Sequence, residues 1–222
     1  MSWAGFAAIF AAFFLTHSVP VRPAVKSRVT AIIGTRGFTL GYSALSVGML
    51  ALLIWSAGRA PYVQLWVQMP WHRHAAHLGM LAVCMILALA IARPNPLSFG
   101  GARNDRFDPS RPGLARWCRH PVLLALALWA GVHLLPNGDL AHVILFGVLG
   151  AFALAGGWLI DRRKQREMGH ANWAALKNAV HQAPLAHAPA SWPGLFLRLA
   201  AGGAAYAALI WAHPMIIGVP AT

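Results

Sequence analysis

Arg119–Asp139 reads RHPVLLALALWAGVHLLPNGD. It begins with a cation, an imidazole and a proline, and continues as an apolar run free of charged residues. A second imidazole, His133, comes 13 residues after His120, which is ~20 Å along a helix. The stretch ends in Pro136-Asn137-Gly138-Asp139, a strong turn signal. A charge-free apolar helix with a histidine near each end is more than a plain anchor, and its length is that of a membrane crossing.

The rest of the chain agrees with that class. Its 222 residues are 58% hydrophobic and only 10% charged, well under the roughly 25% charged residues of a soluble domain. The apolar runs are continuous and rich in Ala, Leu and Gly rather than alternating, which predicts packed membrane helices and excludes a β-barrel. Six spans are expected in a single all-α, polytopic bundle over residues 1–222: about Trp3–Val19, Phe38–Ala57, His72–Ala92, His120–Leu135, Leu140–Ile160 and Pro193–Ile217. Between the first two, Val25, Val29, Ile32 and Ile33 share one helical face, with Lys26 and Arg28 off it, so a short interfacial helix is expected. Gly58–Trp71 reads as a connector and Pro94–Trp117 as an irregular loop. Asp161–Trp192 reads as a polar loop with an amphipathic patch at Trp173, Leu176 and Val180. The first apolar stretch has no basic residues ahead of it, which predicts a retained span rather than a cleaved leader.

Net charge is +13, from 18 Lys and Arg against 5 Asp and Glu. Nucleic acid is set aside as a partner because the cations sit in loops between spans. All but Arg59 and Arg73 belong to the first, third and fifth loops or, as Arg198 does, to the span end beside one. Those loops are therefore expected on the cytoplasmic side of a bacterial inner membrane, with both termini periplasmic. The bilayer is the one partner the composition demands, and the oligomeric state is left open. Cys84 and Cys118 are not expected to pair, and Met80 and Met85 are expected to pack.

This topology turns the histidines into a depth map. His17 and His120 both fall near the cytoplasmic face. His72, His74, His77, His133, His142, His213 and Asp139 fall near the periplasmic face. Two imidazoles at one depth on different helices can take opposite axial positions of a haem b, with Arg22, Arg116 or Arg119 at its propionates and Ser18 or a backbone carbonyl orienting a ring. The plainer reading is of interfacial histidines satisfied by headgroups and water. The outer group, with His77, His133 and Asp139 as its main candidates, could hold a metal or a second haem, or relay protons. Alternatively, the histidines are polar helix ends and Asp139 caps the fifth helix. His170, His181 and His187 are expected to be solvated. No phosphate-binding glycine loop, nucleophile elbow or zinc-protease motif occurs.

His17-Ser18, Arg119-His120-Pro121-Val122-Leu123-Leu124, Leu128-Trp129-Ala130, His133-Leu134-Leu135 with Asn137-Gly138-Asp139-Leu140, Ile160-Asp161-Arg162 and Ile217-Gly218-Val219-Pro220 together resemble the NnrU family of bacterial membrane proteins over essentially the whole chain. The resemblance implies a link to denitrification and nitric oxide metabolism, with nitrogen-oxide reductase components as possible partners. The same domain is similar to plant 15-cis-zeta-carotene isomerase, a haem b membrane enzyme acting on a polyene. That similarity implies His17 and His120 as axial ligands. Arg119-His120 at a span's start also resembles membrane methyltransferases that use S-adenosylmethionine, although downstream Glu167 is the only glutamate here. A non-enzymatic assembly factor is the remaining alternative.

Overall fold

The computed structural model describes residues 1–186 and 188–220. It is helical, with no strand among the described residues. The helices are α1 (Trp3–Ser18), α2 (Pro23–Ala57), α3 (Pro70–Ala90), α4 (Pro121–Leu134), α5 (Leu140–Met168), α6 (His170–Gln182) and α7 (Trp192–Ile217). Single 3₁₀ turns at Asn104–Arg106 and Gly113–Arg116 interrupt the long loop between α3 and α4. Local sequence sets the starts. Ser2 and Ser191 accept from the amides of Gly5 and Gly194, satisfying donors that a first turn leaves open. Proline occupies the opening turn of α2, α3, α4 and α7, where its missing N–H costs nothing.

Among the described residues, four helices are long and apolar enough to cross a membrane: α2, α3, α5 and α7. α1 and α4 are apolar but have only 16 and 14 residues, ~24 and ~21 Å of helix. Large apolar side chains such as Leu40, Leu78, Leu154 and Leu197 lie on the surface, as lipid-facing positions do and water-facing ones rarely do. The chain is thus a helical membrane-type protein.

Two elements differ from the sequence expectation. The interfacial segment and second span form one helix, α2, broken at Gly34, whose φ of 74° and ψ of 167° are not helical. The expected polar loop Asp161–Trp192 is mostly helix. α5 continues to Met168, held by Glu167 accepting from Arg163 and Lys164 one turn back. Gly169, at φ 81°, then breaks it before α6. The apolar positions Trp173 and Val180 pack on fully buried Leu97, with Phe107, Met168 and Leu176 around them. His187, grouped by sequence with His170 and His181, lies outside the described residues.

The chain divides into two compact units. The first comprises residues 1–67 and 138–145. Its core is Phe6, Phe10 and Phe13 of α1 with Phe38 and Leu53 of α2. Its connector pairs with the NGD turn. Gln64 and Asp139 form an isolated antiparallel bridge, the Leu65 and Trp66 amides donate to the Gly138 carbonyl, and Leu140 donates to Val63. A Cβ at Gly138 would lie 2.2 Å from the Trp66 carbonyl oxygen, so the approach requires glycine. Asp139 caps α5 by accepting from the His142 amide at 3.2 Å.

The second unit comprises residues 68–137 and 146 onward. Here α3 packs on α4 and α7. A Cβ at Gly79 of α3 would collide with Val132 of α4, and one at Gly202 of α7 would crowd Met85 and the Cys84 carbonyl of α3. Close approach over small residues is how membrane helices gain contact area. Cys84 and Cys118 are both free.

Candidate functional site

Pro121 opens α4, and the residue before a proline is pushed out of helical geometry. His120 accordingly stands at the mouth of α4 with φ −117° and ψ 66°, not inside the helix. Its ring packs on α5 at Gly157, where a Cβ would be 3.2 Å from His120 Cδ2. Gly156 gives the same clearance to Leu123. One turn beyond Gly157, α5 delivers Asp161.

Asp161 is the hub. Arg119 Nε donates to its Oδ1 at 3.0 Å and Arg119 Nη2 to its Oδ2 at 2.5 Å, a two-pronged guanidinium–carboxylate pair. His120 Nε2 lies 3.1 Å from the same Oδ1, and Arg119 Nε is 3.3 Å from Nε2. On the other side of the ring, His120 Nδ1 lies 3.0 Å from Ser98 Oγ. The His120 and Asp161 side chains are only 11% and 15% exposed, against 31% for Arg119. At that burial an unpaired carboxylate would be expensive, so the pairing is part of what holds α4's mouth to α5.

Asn95 builds the wall that carries Ser98. Its Nδ2 donates to the Arg119 carbonyl at 3.0 Å, its Oδ1 accepts from the Leu97 amide at 3.2 Å, and its carbonyl accepts from the Ser98 amide at 3.3 Å. Asn95 and Ser98 are both buried. The Arg119 guanidinium carbon also lies 5.9 Å from the centre of the Trp173 ring of α6.

The imidazole therefore bridges a hydroxyl and a carboxylate. As a carboxylate Asp161 can only accept, so the Nε2–Asp161 hydrogen bond forms when Nε2 carries the proton, whereas Arg119 Nε can donate to Nε2 only when it does not. With Nε2 protonated, Nδ1 accepts from Ser98 in the neutral ring or donates to it in the cation. The arrangement can hold one proton and exchange another at a fixed place.

The other expected site residues stand elsewhere. In the first unit, the His17 ring lies 4.3 Å from that of Phe13 and 5.9 Å from that of Tyr42, and Tyr42 donates to the His17 carbonyl at 3.0 Å. The Ser18 hydroxyl donates to the Phe14 carbonyl at 2.6 Å. Arg22 precedes α2 as an exposed N-terminal flank. Asp139 also holds His142 Nδ1 at 2.6 Å.

In the second unit four of the outer histidines have partners of their own. His72 Nδ1 accepts from the Met69 amide, and His77 Nδ1 meets the Tyr206 hydroxyl at 3.1 Å. His133 donates to the Trp129 carbonyl at 2.8 Å, with the rings of Trp129 and Phe146 beside it. His213 donates to the Val219 carbonyl at 2.7 Å. No group of three or more metal-ligating side chains forms among the described residues. The two histidines of RHPVLLALALWAGVHLLPNGD belong to opposite ends of α4 and to separate sets of partners.

Sequence reading found Arg119 and His120 but missed Ser98, Asn95 and Asp161 as their partners. The signal for Asp161 was present. The depth reading that levelled His17 with His120 puts the end of the fifth span at the same face, and Asp161 is the first residue past it.

The chain matches the family model described as NnrU protein over residues 5–221. It belongs to the NnrU family. No curated protein and no solved structure matches it. Ile160-Asp161-Arg162, noted above for its NnrU resemblance, contains the hub of the cluster.

Proposed function

We propose that this NnrU-family protein crosses a bacterial inner membrane six times, with its basic loops cytoplasmic, and works through the Ser98–His120–Asp161–Arg119 cluster as an acid–base centre. The carrying observation is the His120 ring held between Ser98 Oγ at 3.0 Å and Asp161 Oδ1 at 3.1 Å. Arg119 fixes the carboxylate, Asp161 fixes the ring, and Nδ1 takes or returns a proton beside the Ser98 hydroxyl. General acid–base groups need this kind of fixed orientation before any tuning of proton affinity. Reduction of nitrogen oxides consumes protons as well as electrons, so a proton-handling centre fits the metabolic link that the NnrU resemblance implies.

A bacterial strain deleted for the gene and challenged with nitrite or nitric oxide tests the reading. Growth is expected to return with the wild-type gene and with Arg111→Gln. It is not expected to return with His120→Gln or Asp161→Asn present in the membrane at wild-type level. Full rescue by Asp161→Asn would overturn the assignment.

A second reading is haem b bound through His120, and one observation favours it. Ser98 at Nδ1 resembles the outer partner that orients a ligating imidazole. The other nitrogen does not fit as placed, because Nε2 faces Asp161 at 3.1 Å. Iron can take that nitrogen only where Asp161 yields. Haem would supply redox or Lewis-acid chemistry, and its pairing of His120 with His17 rests on the depth map and the resemblance. If iron and Asp161 compete for Nε2, Asp161→Asn strengthens a Soret band in purified protein and His120→Ala abolishes it. A preparation without a Soret band in wild type and Asp161→Asn alike, after haem-replete expression, sinks this reading.

A further inference from the structure

A cleft of about 470 Å³ opens in the second unit between the 3₁₀ turn Gly113–Arg116 and α6. Arg116, Arg119, Lys177 and His181 line it, and among the described residues no carboxylate does. Its floor and flank are apolar, with buried Leu97, Ala115 and Val180 and the exposed indole of Trp117. Like charges repel, so their gathering on one wall has to be held. Trp173 does part of this: Lys177 Nζ lies 5.0 Å and the Arg119 guanidinium 5.9 Å from the centre of its ring. Arg116 is anchored through Nε, which donates to the Ala183 carbonyl at 2.7 Å. That leaves its remaining donors for a ligand. Among the described residues, neither Arg116 nor Lys177 has a carboxylate within ion-pair distance, whereas Arg119 has Asp161.

We propose that this cleft binds a phosphate group. A multiply charged tetrahedral anion answers the Arg116 guanidinium and the Lys177 ammonium together better than a single carboxylate does. The volume lies within the range of small-molecule sites and exceeds what phosphate alone needs. The apolar flank therefore suits whatever the phosphate is esterified to. The ligand is either the headgroup of an acidic phospholipid or a free phosphate. The site is separate from the proton-handling reading: it shares Arg119 with that cluster, but Arg116 and Lys177 take no part there.

The test uses the full chain in phosphatidylcholine nanodiscs and inorganic phosphate as the probe, read by ³¹P line broadening. Saturable broadening is expected in wild type and in Arg111→Gln, whose exposed side chain lies outside the cleft. Affinity is expected to fall about tenfold in Lys177→Gln and in Arg116→Gln, the size of one lost charge-assisted contact. Short-chain phosphatidic acid is then added as competitor. Displacement far below the phosphate concentration identifies a lipid headgroup as the natural occupant, and displacement only at comparable concentration identifies free phosphate. Two results would overturn the proposal. One is the absence of saturable broadening together with no binding of phosphatidic acid. The other is an equal loss in Arg111→Gln and Lys177→Gln, which would mean general charge attraction.

Discussion

Asp161 sits where the apolar part of α5 gives way to Arg162, Arg163 and Lys164, and its carboxylate is shared by Arg119 and His120. Removing its charge leaves the Arg119 guanidinium, 31% exposed, without its partner. Asp161→Asn should destabilise the protein by roughly 2–4 kcal/mol, somewhat below a fully buried pair because Arg119 reaches solvent. Arg119→Ala with Asp161→Asn should cost less than the two changes summed, as groups in one network do. Unfolding in mixed detergent micelles reads both, and strict additivity would mean the pair contributes nothing. Arg119 and His120 were legible in the sequence because RHP is a contiguous motif at a helix mouth. Asp161, 41 positions from His120, was signalled only by its depth at the end of the fifth span, and Ser98, 22 positions away, was not signalled at all. Ser98 reaches it only through the turn that Asn95 ties, a tertiary arrangement with no periodicity to announce it.

α5 is the element that makes the cluster possible, because it offers a flat glycine surface and then a carboxylate one turn later. Gly157→Leu places a side chain where His120 Cδ2 lies 3.2 Å from even a bare Cβ. It should cost about 1–3 kcal/mol by overpacking and push the ring off Asp161. Gly147→Leu on the same helix meets nothing within 4 Å and should stay within about 0.5 kcal/mol of wild type. The same unfolding assay separates them, and equal effects would contradict the packing described. The spans of α3, α5 and α7 were readable from apolar length. α6 was not, since only Trp173, Leu176 and Val180 marked it within a polar stretch. Its stability comes from burying those residues on Leu97, which lies in a distant loop.

For the whole molecule, the distribution of cations reaches furthest. With six crossings and the basic loops cytoplasmic, alkaline phosphatase fused after Pro220 should be active in the periplasm, and green fluorescent protein fused there should be dark. A fluorescent fusion would mean either an odd number of crossings, with α1 or α4 lying in the interface, or six crossings in the reverse orientation. Helix length leaves that choice to experiment, since those two helices have 16 and 14 residues. Composition made the membrane class legible, because burial of backbone polar groups in lipid admits few architectures. It could not reveal the chemistry, which depends on Asp161 meeting His120. The most direct test of that meeting is the imidazole ¹⁵N spectrum of the whole protein in nanodiscs, with the His120 signals assigned by their loss in His120→Gln. In wild type both His120 nitrogens should carry hydrogen-bonded shifts, and Asp161→Asn should move the Nε2 signal while leaving those of His133 and His77 in place. A His120 spectrum unchanged by Asp161→Asn would contradict the account.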